Sequence, residues 1–184
     1  MMAMLILGVV LMAGAHLAMR LSPGLKVRLG RPGWGAILAV ALVLIVLGYR
    51  GAAFTPVYDP IPGIGHLNNL MMLVAIFLFG VGGTKGTLWP RLRNPMLIGT
   101  VVWAVAHLLV NGDLASVVLF GGLGLWAVMQ IVLIDRDPWV RPDPAAGRGL
   151  KGDLMNLVGT LVLYGLIAGV HIWLGHNPFL GTYA

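Results

Sequence analysis

The sequence predicts an all-α, polytopic membrane bundle of about six transmembrane helices, and three observations predict it. Of 184 residues, 59% are hydrophobic and only 10% are charged, against roughly 25% charged in an ordinary soluble domain. The mean hydropathy is +0.92. The apolar residues also gather into six runs, residues 2–19, 32–49, 66–83, 96–110, 114–134 and 154–174. Each is close to the about 20 residues that cross roughly 30 Å of hydrocarbon. Together they read as one integral-membrane domain over residues 1–184, with the lipid bilayer as the first expected partner.

Taken in order, the first run follows no basic residue and ends without a small-residue cleavage site, so it reads as a retained helix. Ser22-Pro23-Gly24 and Arg31-Pro32-Gly33 predict an irregular first connection. The stretch after Arg50 carries Pro56, Pro60 and Pro62 with Phe54 and Tyr58, too much proline for a long helix, and is expected to lie over one face of the bundle. The fourth run is the shortest, because its start reaches back only to Pro95. Asp113 stands where it can cap the fifth helix. Asp137-Pro138, Pro142-Asp143-Pro144 and Gly147 keep the last connection irregular. Gly121-Gly122-x-Gly124 and Gly165-x-x-x-Gly169 predict close helix approach. A nucleotide loop is a poor alternative there, since no strand pattern precedes either run and no lysine follows. Most of Trp34, Tyr49, Trp89, Trp103, Trp126, Trp139 and Trp173 fall near run ends, as an interfacial aromatic belt does.

The charge pattern sets an expected topology. Arg20, Lys26, Arg28 and Arg31 lie in the first connection, Lys85, Arg91 and Arg93 in the third, and Arg136, Arg141, Arg148 and Lys151 in the fifth, leaving Arg50 alone of the 12 basic residues. The positive-inside rule puts those three loops in the cytoplasm and both termini outside, which for a bacterial chain means the inner membrane. The same rule accounts for the net charge of +6, so no nucleic-acid partner is implied. Cysteine is absent, and the acidic residues Asp59, Asp113, Asp135, Asp137, Asp143 and Asp153 already number 6, so glutamate is absent too. Disulfides, thiolate metal sites and glutamate-dependent mechanisms are excluded.

Five histidines remain as the chemistry-bearing residues: His16, His66, His107, His171 and His176. An imidazole in a segment as apolar as that around His107 loses its water and must find a partner or bind something. His176, near a run end, reads as interfacial. By helix depth His66, His107 and His171 share a level near the outer end, whereas His16 lies roughly 10–15 Å deeper. No two have the spacing of a one-helix metal motif, so a site would be built between helices. Two imidazoles across a cavity can hold a heme iron; three with Asp113 can hold zinc or another divalent ion; and each ring can instead simply bond a neighbouring carbonyl. Asn68, Asn69, Gln130 and Asn156 suit interhelical hydrogen bonding, and a ligand-lining role is open to Asn68 and Asn69. The ten methionines form no paired motif and read as packing.

Gly48-Tyr49-Arg50-Gly-Ala-Ala-Phe54, Gly65-His66-Leu67-Asn68-Asn69-Leu70-Met71-Met72, Arg93-Asn94-Pro95-Met96 and above all His107-Leu-Leu-Val-Asn111-Gly112-Asp113-Leu-Ala-Ser116 resemble the NnrU family of bacterial membrane proteins. The resemblance covers most of the chain and implies a role in denitrification, in nitrite and nitric oxide reductase production or function. It also implies kinship with the plastid 15-cis-ζ-carotene isomerase, a membrane enzyme carrying heme b. By that kinship His16, in Ala15-His16-Leu17, and His107, in Ala106-His107-Leu108, would bind the iron. Depth instead pairs His107 with His66 or His171. Asn111, Asp113 and Asn69 complete the candidate set. Where the family reads Arg-His-Pro-Met, this chain has Asn94. The same segment is similar to the Arg-His-Pro motif of isoprenylcysteine-type methyltransferases, but without that histidine and without any glutamate such chemistry is poorly supported. Three functions follow as expectations: heme-linked support of denitrification; heme-dependent cis–trans isomerisation of a polyene or isoprenoid lipid, with an apolar small molecule as substrate; and a non-catalytic transport or assembly role. Against a transporter stand the short chain and the lack of a mid-span charge.

Overall fold

In the computed structural model, which describes residues 1–180 apart from the side chains of Pro23 and Lys26, six helices follow one another. They are α1 (Met2–Leu21), α2 (Pro23–Arg50), α3 (Gly65–Thr84), α4 (Pro95–Val110), α5 (Leu114–Asp135) and α6 (Gly149–Trp173). Five are long and apolar enough to cross a membrane, α2 through its Val27–Arg50 stretch. The 16-residue α4 is shorter, about 24 Å at 1.5 Å per residue. The chain is a multi-pass membrane protein.

Extensive packing links the helices in the order α2, α1, α5, α4, α3, α6. A core of buried apolar side chains lies where Leu5 and Val9 of α1 meet Ile45 of α2, Ala104 of α4 and Ala115, Leu119 and Phe120 of α5. Helices in a bilayer gain little from burying apolar groups against one another, so close backbone approach carries the association. At the α1–α2 crossing a Cβ on Gly8 would fall 2.8 Å from the Ile45 nitrogen, and one on Gly48 would fall 2.7 Å from the Leu5 Cα. Only glycine fits at either place.

The expected glycine contacts are redistributed. Around Gly122 and Gly124 a Cβ would press on Val9 and Ala104, but Gly165 and Gly169 face open space, with nothing within 4 Å. α6 meets α3 through a different stripe, Gly152, Asn156 and Thr160, from which Gly165 is turned by about half a revolution at roughly 100° per residue. On that stripe Asn156 Nδ2 donates to the Phe77 carbonyl at 2.9 Å, and beside it Asp153 Oδ1 accepts the N–H of Thr87, just past α3, at 2.9 Å.

The first connection is helical where irregular chain was expected. Pro23 opens α2 in the first turn, where its missing N–H is not needed. The break comes instead at Gly30, whose φ of 62° suits glycine, and Pro32 then restarts the helix. α6 likewise begins at Gly149, five residues before the apolar run that announced it, after a 3-10 turn over Pro144–Ala146 that the Asp143 carboxylate caps. At this basic end Arg20 donates to the Leu133 carbonyl at 2.8 Å and to Asp137 at 2.5 Å, tying α1 to the end of α5. Asn94 donates to Asp135 at 3.0 Å, and Arg93 lies 3.5 Å from the same carboxylate. Asparagine at position 94 therefore has a structural role of its own.

Candidate functional site

The opposite, charge-poor end is organised by Asn111-Gly112-Asp113. Asp113 caps α5, accepting the Ser116 N–H at 3.0 Å and the Ser116 hydroxyl at 2.5 Å. Ser116 Oγ also lies 2.9 Å from the Tyr49 hydroxyl at the end of α2. Asn111 Nδ2 donates to the His107 carbonyl at 2.9 Å and finishes α4. Over this turn runs the proline-rich connection between α2 and α3, as a strap. Val57 and Tyr58 donate backbone N–H groups to the Gly112 carbonyl at 2.8 and 3.1 Å, and Leu114 N–H donates to Thr55 at 2.8 Å. The Tyr58 hydroxyl contacts the carbonyls of Asn111, at 2.8 Å, and Leu108. Burial first, and the nearby Asp113 carboxylate second, push the Tyr58 pKa above its usual value.

Beside Asn111 is a cavity of about 360 Å³, reached by Tyr49 of α2 and by residues of α3, α4, α5 and α6. That volume lies within the range of small-molecule sites, about 300–1,000 Å³. His107 and His171 both line it. His107 Nδ1 is 2.9 Å from the Trp103 carbonyl and His171 Nδ1 is 2.8 Å from the Ile167 carbonyl, each one turn earlier in its helix. A carbonyl only accepts, so Nδ1 carries the proton, and in the neutral ring Nε2 is left as a lone-pair donor. Neither Nε2 makes a hydrogen bond among the described residues. His107 is stacked on Phe120, with centroids 4.3 Å apart, and Trp103 meets Phe120 edge-on at 4.9 Å. Apolar Met72, Ile76, Phe79, Leu163 and Ile167 supply much of the remaining wall.

The other candidates are placed apart. His16 is outside the cavity lining; its ring packs against Trp126 at 4.8 Å, and its Nδ1 is 2.9 Å from the Met12 carbonyl. His66 is exposed at the start of α3 and does not line the cavity either, whereas Asn68 and Asn69, two and three residues on, do. Asn68 is committed, donating to the Ala106 carbonyl at 2.6 Å. Asn111 lines the cavity, and Asp113 is occupied in capping. Among the described residues no group of three or more histidine or acidic side chains could hold a metal ion.

Several lining residues carried no functional reading in the sequence: Trp103, Phe120, Tyr164 and His176. Trp103 had a usable signal, four residues before His107 and so on the same helix face. Phe120 had none at helical spacing, because α5 winds as a π-helix over Val117–Gly121. His176 lies beyond α6, and its place at the cavity depends on a chain reversal at Gly175, whose φ is 92°.

A family model described as NnrU protein matches residues 4–178, nearly the whole chain. No curated protein and no solved structure matches it.

Proposed function

The chain belongs to the NnrU family, and from that premise we propose that it holds a b-type heme in the cavity that α4 and α6 both line, where His107 and His171 would hold the iron. We place it in the bacterial inner membrane, supporting nitrite and nitric oxide reductase production or function in denitrification. The observation that carries this reading is the pair of imidazoles lining one apolar cavity, each with Nδ1 committed to a helix carbonyl and Nε2 uncommitted. Such a backbone bond fixes the tautomer and raises the basicity of the ligating nitrogen. Phe120 and Trp103 hold the His107 ring from one side, and apolar residues of α3 and α6 exclude water from the rest. A bound heme would supply redox chemistry at iron, and binding of a diatomic gas there would require that one of the two histidines give way.

The test is an ultraviolet–visible spectrum of purified protein, oxidised and then reduced. A Soret band is expected, lost in His107→Ala and altered to a one-histidine form in His171→Ala. Loss of the two-histidine spectrum in His16→Ala, with His171→Ala unchanged, would move the second ligand to His16, as the family kinship implies. No Soret band after heme reconstitution overturns the reading.

A second reading, cis–trans isomerisation of a polyene or isoprenoid lipid, draws on the helix arrangement. The extensive packing of α6 is with α3, although α6 shares the cavity with α4. In this reading the α4–α6 seam would be the lateral way in from the bilayer for an apolar molecule. Conversion of a cis-polyene by the reduced, heme-loaded protein would establish it, and no conversion would remove it.

A further inference from the structure

The polar groups of the cavity are gathered at one end. Asn69, Asn111 and His176 line it where α3 begins and where α4 and α6 have just ended. Toward mid-bilayer the wall turns to Met72, Ile76 and Phe79. Each amide has used one N–H: Asn69 Nδ2 donates to the Pro178 carbonyl at 2.8 Å, and Asn111 Nδ2 to the His107 carbonyl at 2.9 Å. A side-chain amide carries two N–H groups, so one on each remains. The His176 ring makes no hydrogen bond among the described residues. It is held in place by its backbone, whose N–H donates to the His171 carbonyl at 2.8 Å, and by the seating of Phe179 against Tyr164 at 6.3 Å. Among the described residues no lysine, arginine or aspartate lines the cavity. An anionic group there meets neutral donors and no like charge.

We propose that Asn69, Asn111 and His176 form a carboxylate subsite, so that the ligand is an amphiphile with a flat apolar body and an acidic edge directed toward the charge-poor end. The reverse orientation would bury a carboxylate among methionine, isoleucine and phenylalanine without a partner, which is strongly disfavoured. This rests on the cavity being a porphyrin site. Heme fits the description, since its two propionates leave one edge of an otherwise apolar ring.

The experiment titrates full-length protein in detergent with metal-free protoporphyrin IX and with its dimethyl ester, followed by porphyrin fluorescence. Wild-type protein is expected to bind the free acid about tenfold more tightly, the scale of one hydrogen bond to a charged group. His176→Ala and Asn69→Ala should each reduce that preference, and the double variant should abolish it while binding the ester as wild type does. Equal affinity for both porphyrins in wild type overturns the subsite and leaves the porphyrin site standing. So does a preference that survives in the double variant, or a double variant that loses the ester as well. Failure of either porphyrin to bind overturns the subsite, whereas the heme reading falls only with the absence of a Soret band after reconstitution.

Discussion

The His107 imidazole lies nearly parallel to the Phe120 ring, with centroids 4.3 Å apart and planes inclined by 19°. Phe120 comes from the π-helical turn of α5, a local winding often found at functional sites. The imidazole plane is thus fixed from its face by Phe120 and along its edge by the Trp103 carbonyl. Replacing Phe120 with Leu should remove an aromatic pairing of about 1 kcal/mol, lower the unfolding temperature in detergent, and change the low-spin electron paramagnetic resonance spectrum of heme-loaded protein. Deleting one residue within 117–119 should restore α winding and turn Phe120 by about 100°. Ligand binding should then fail while helix content by circular dichroism stays the same. Binding like that of wild type in the deletion variant would remove the π turn from any role at the site.

Asp113 joins two helices through one serine. Its carboxylate takes both the N–H and the hydroxyl of Ser116, and that hydroxyl is also within hydrogen-bonding distance of Tyr49. Asp113→Ala should therefore cost the helix cap, about 1 kcal/mol, and loosen Tyr49 as well. Asp113→Asn keeps an oxygen for the Ser116 N–H and should lose less. Reversible unfolding in mixed micelles measures both; equal losses would mean that the charge, not the acceptor geometry, matters.

Gly112 is where the strap and the turn come into contact. A Cβ at that position would fall on the Tyr58 carbonyl oxygen, a backbone atom that cannot swing aside. Gly112→Ala should detach the strap from the Gly112 carbonyl at a cost of roughly 1–3 kcal/mol. Hydrogen exchange should then accelerate at the Val57, Tyr58 and Leu114 amides, which this pairing protects, and stay unchanged in the middle of α6. Unchanged exchange at all three would show that the strap absorbs the methyl group.

Much of this was readable before any coordinates, for a physical reason. Hydrocarbon thickness sets helix length and backbone hydrogen bonding forbids irregular chain in lipid, so hydropathy alone located all six helices. Asp113 as a cap was readable because capping is local. Residues 165 and 169 misled because small-residue spacing does not say which face of a helix meets a neighbour, and here Asn156 and Thr160 turned the opposite face inward. Depth counting put His107 and His171 at one level, and both line the cavity; it could not separate His66 from Asn69, because rotation about α3, not depth, decides between them. Phe120 and His176 depend on a π turn and on a reversal at Gly175, neither of which has a periodic signature.

The Tyr58 hydroxyl gives the strap a pH dependence. Its pKa stands above the usual value near 10, because burial and the Asp113 carboxylate both disfavour the phenolate. The protonated form, which donates to the carbonyls that end α4, is therefore favoured by the fold. Its contribution is complete below about pH 10 and is lost as the pH rises through the elevated value. An absorbance titration at the phenolate band, taken as wild type minus Tyr58→Phe, should give a midpoint above that of free tyrosine, and Asp113→Asn should bring it down part of the way. Proteolysis within residues 52–64 should rise over the same pH interval in wild type and be already high, without a step, in Tyr58→Phe. A midpoint at or below the ordinary tyrosine value would show that the hydroxyl is freely solvated and that the strap is held by its backbone pairing alone.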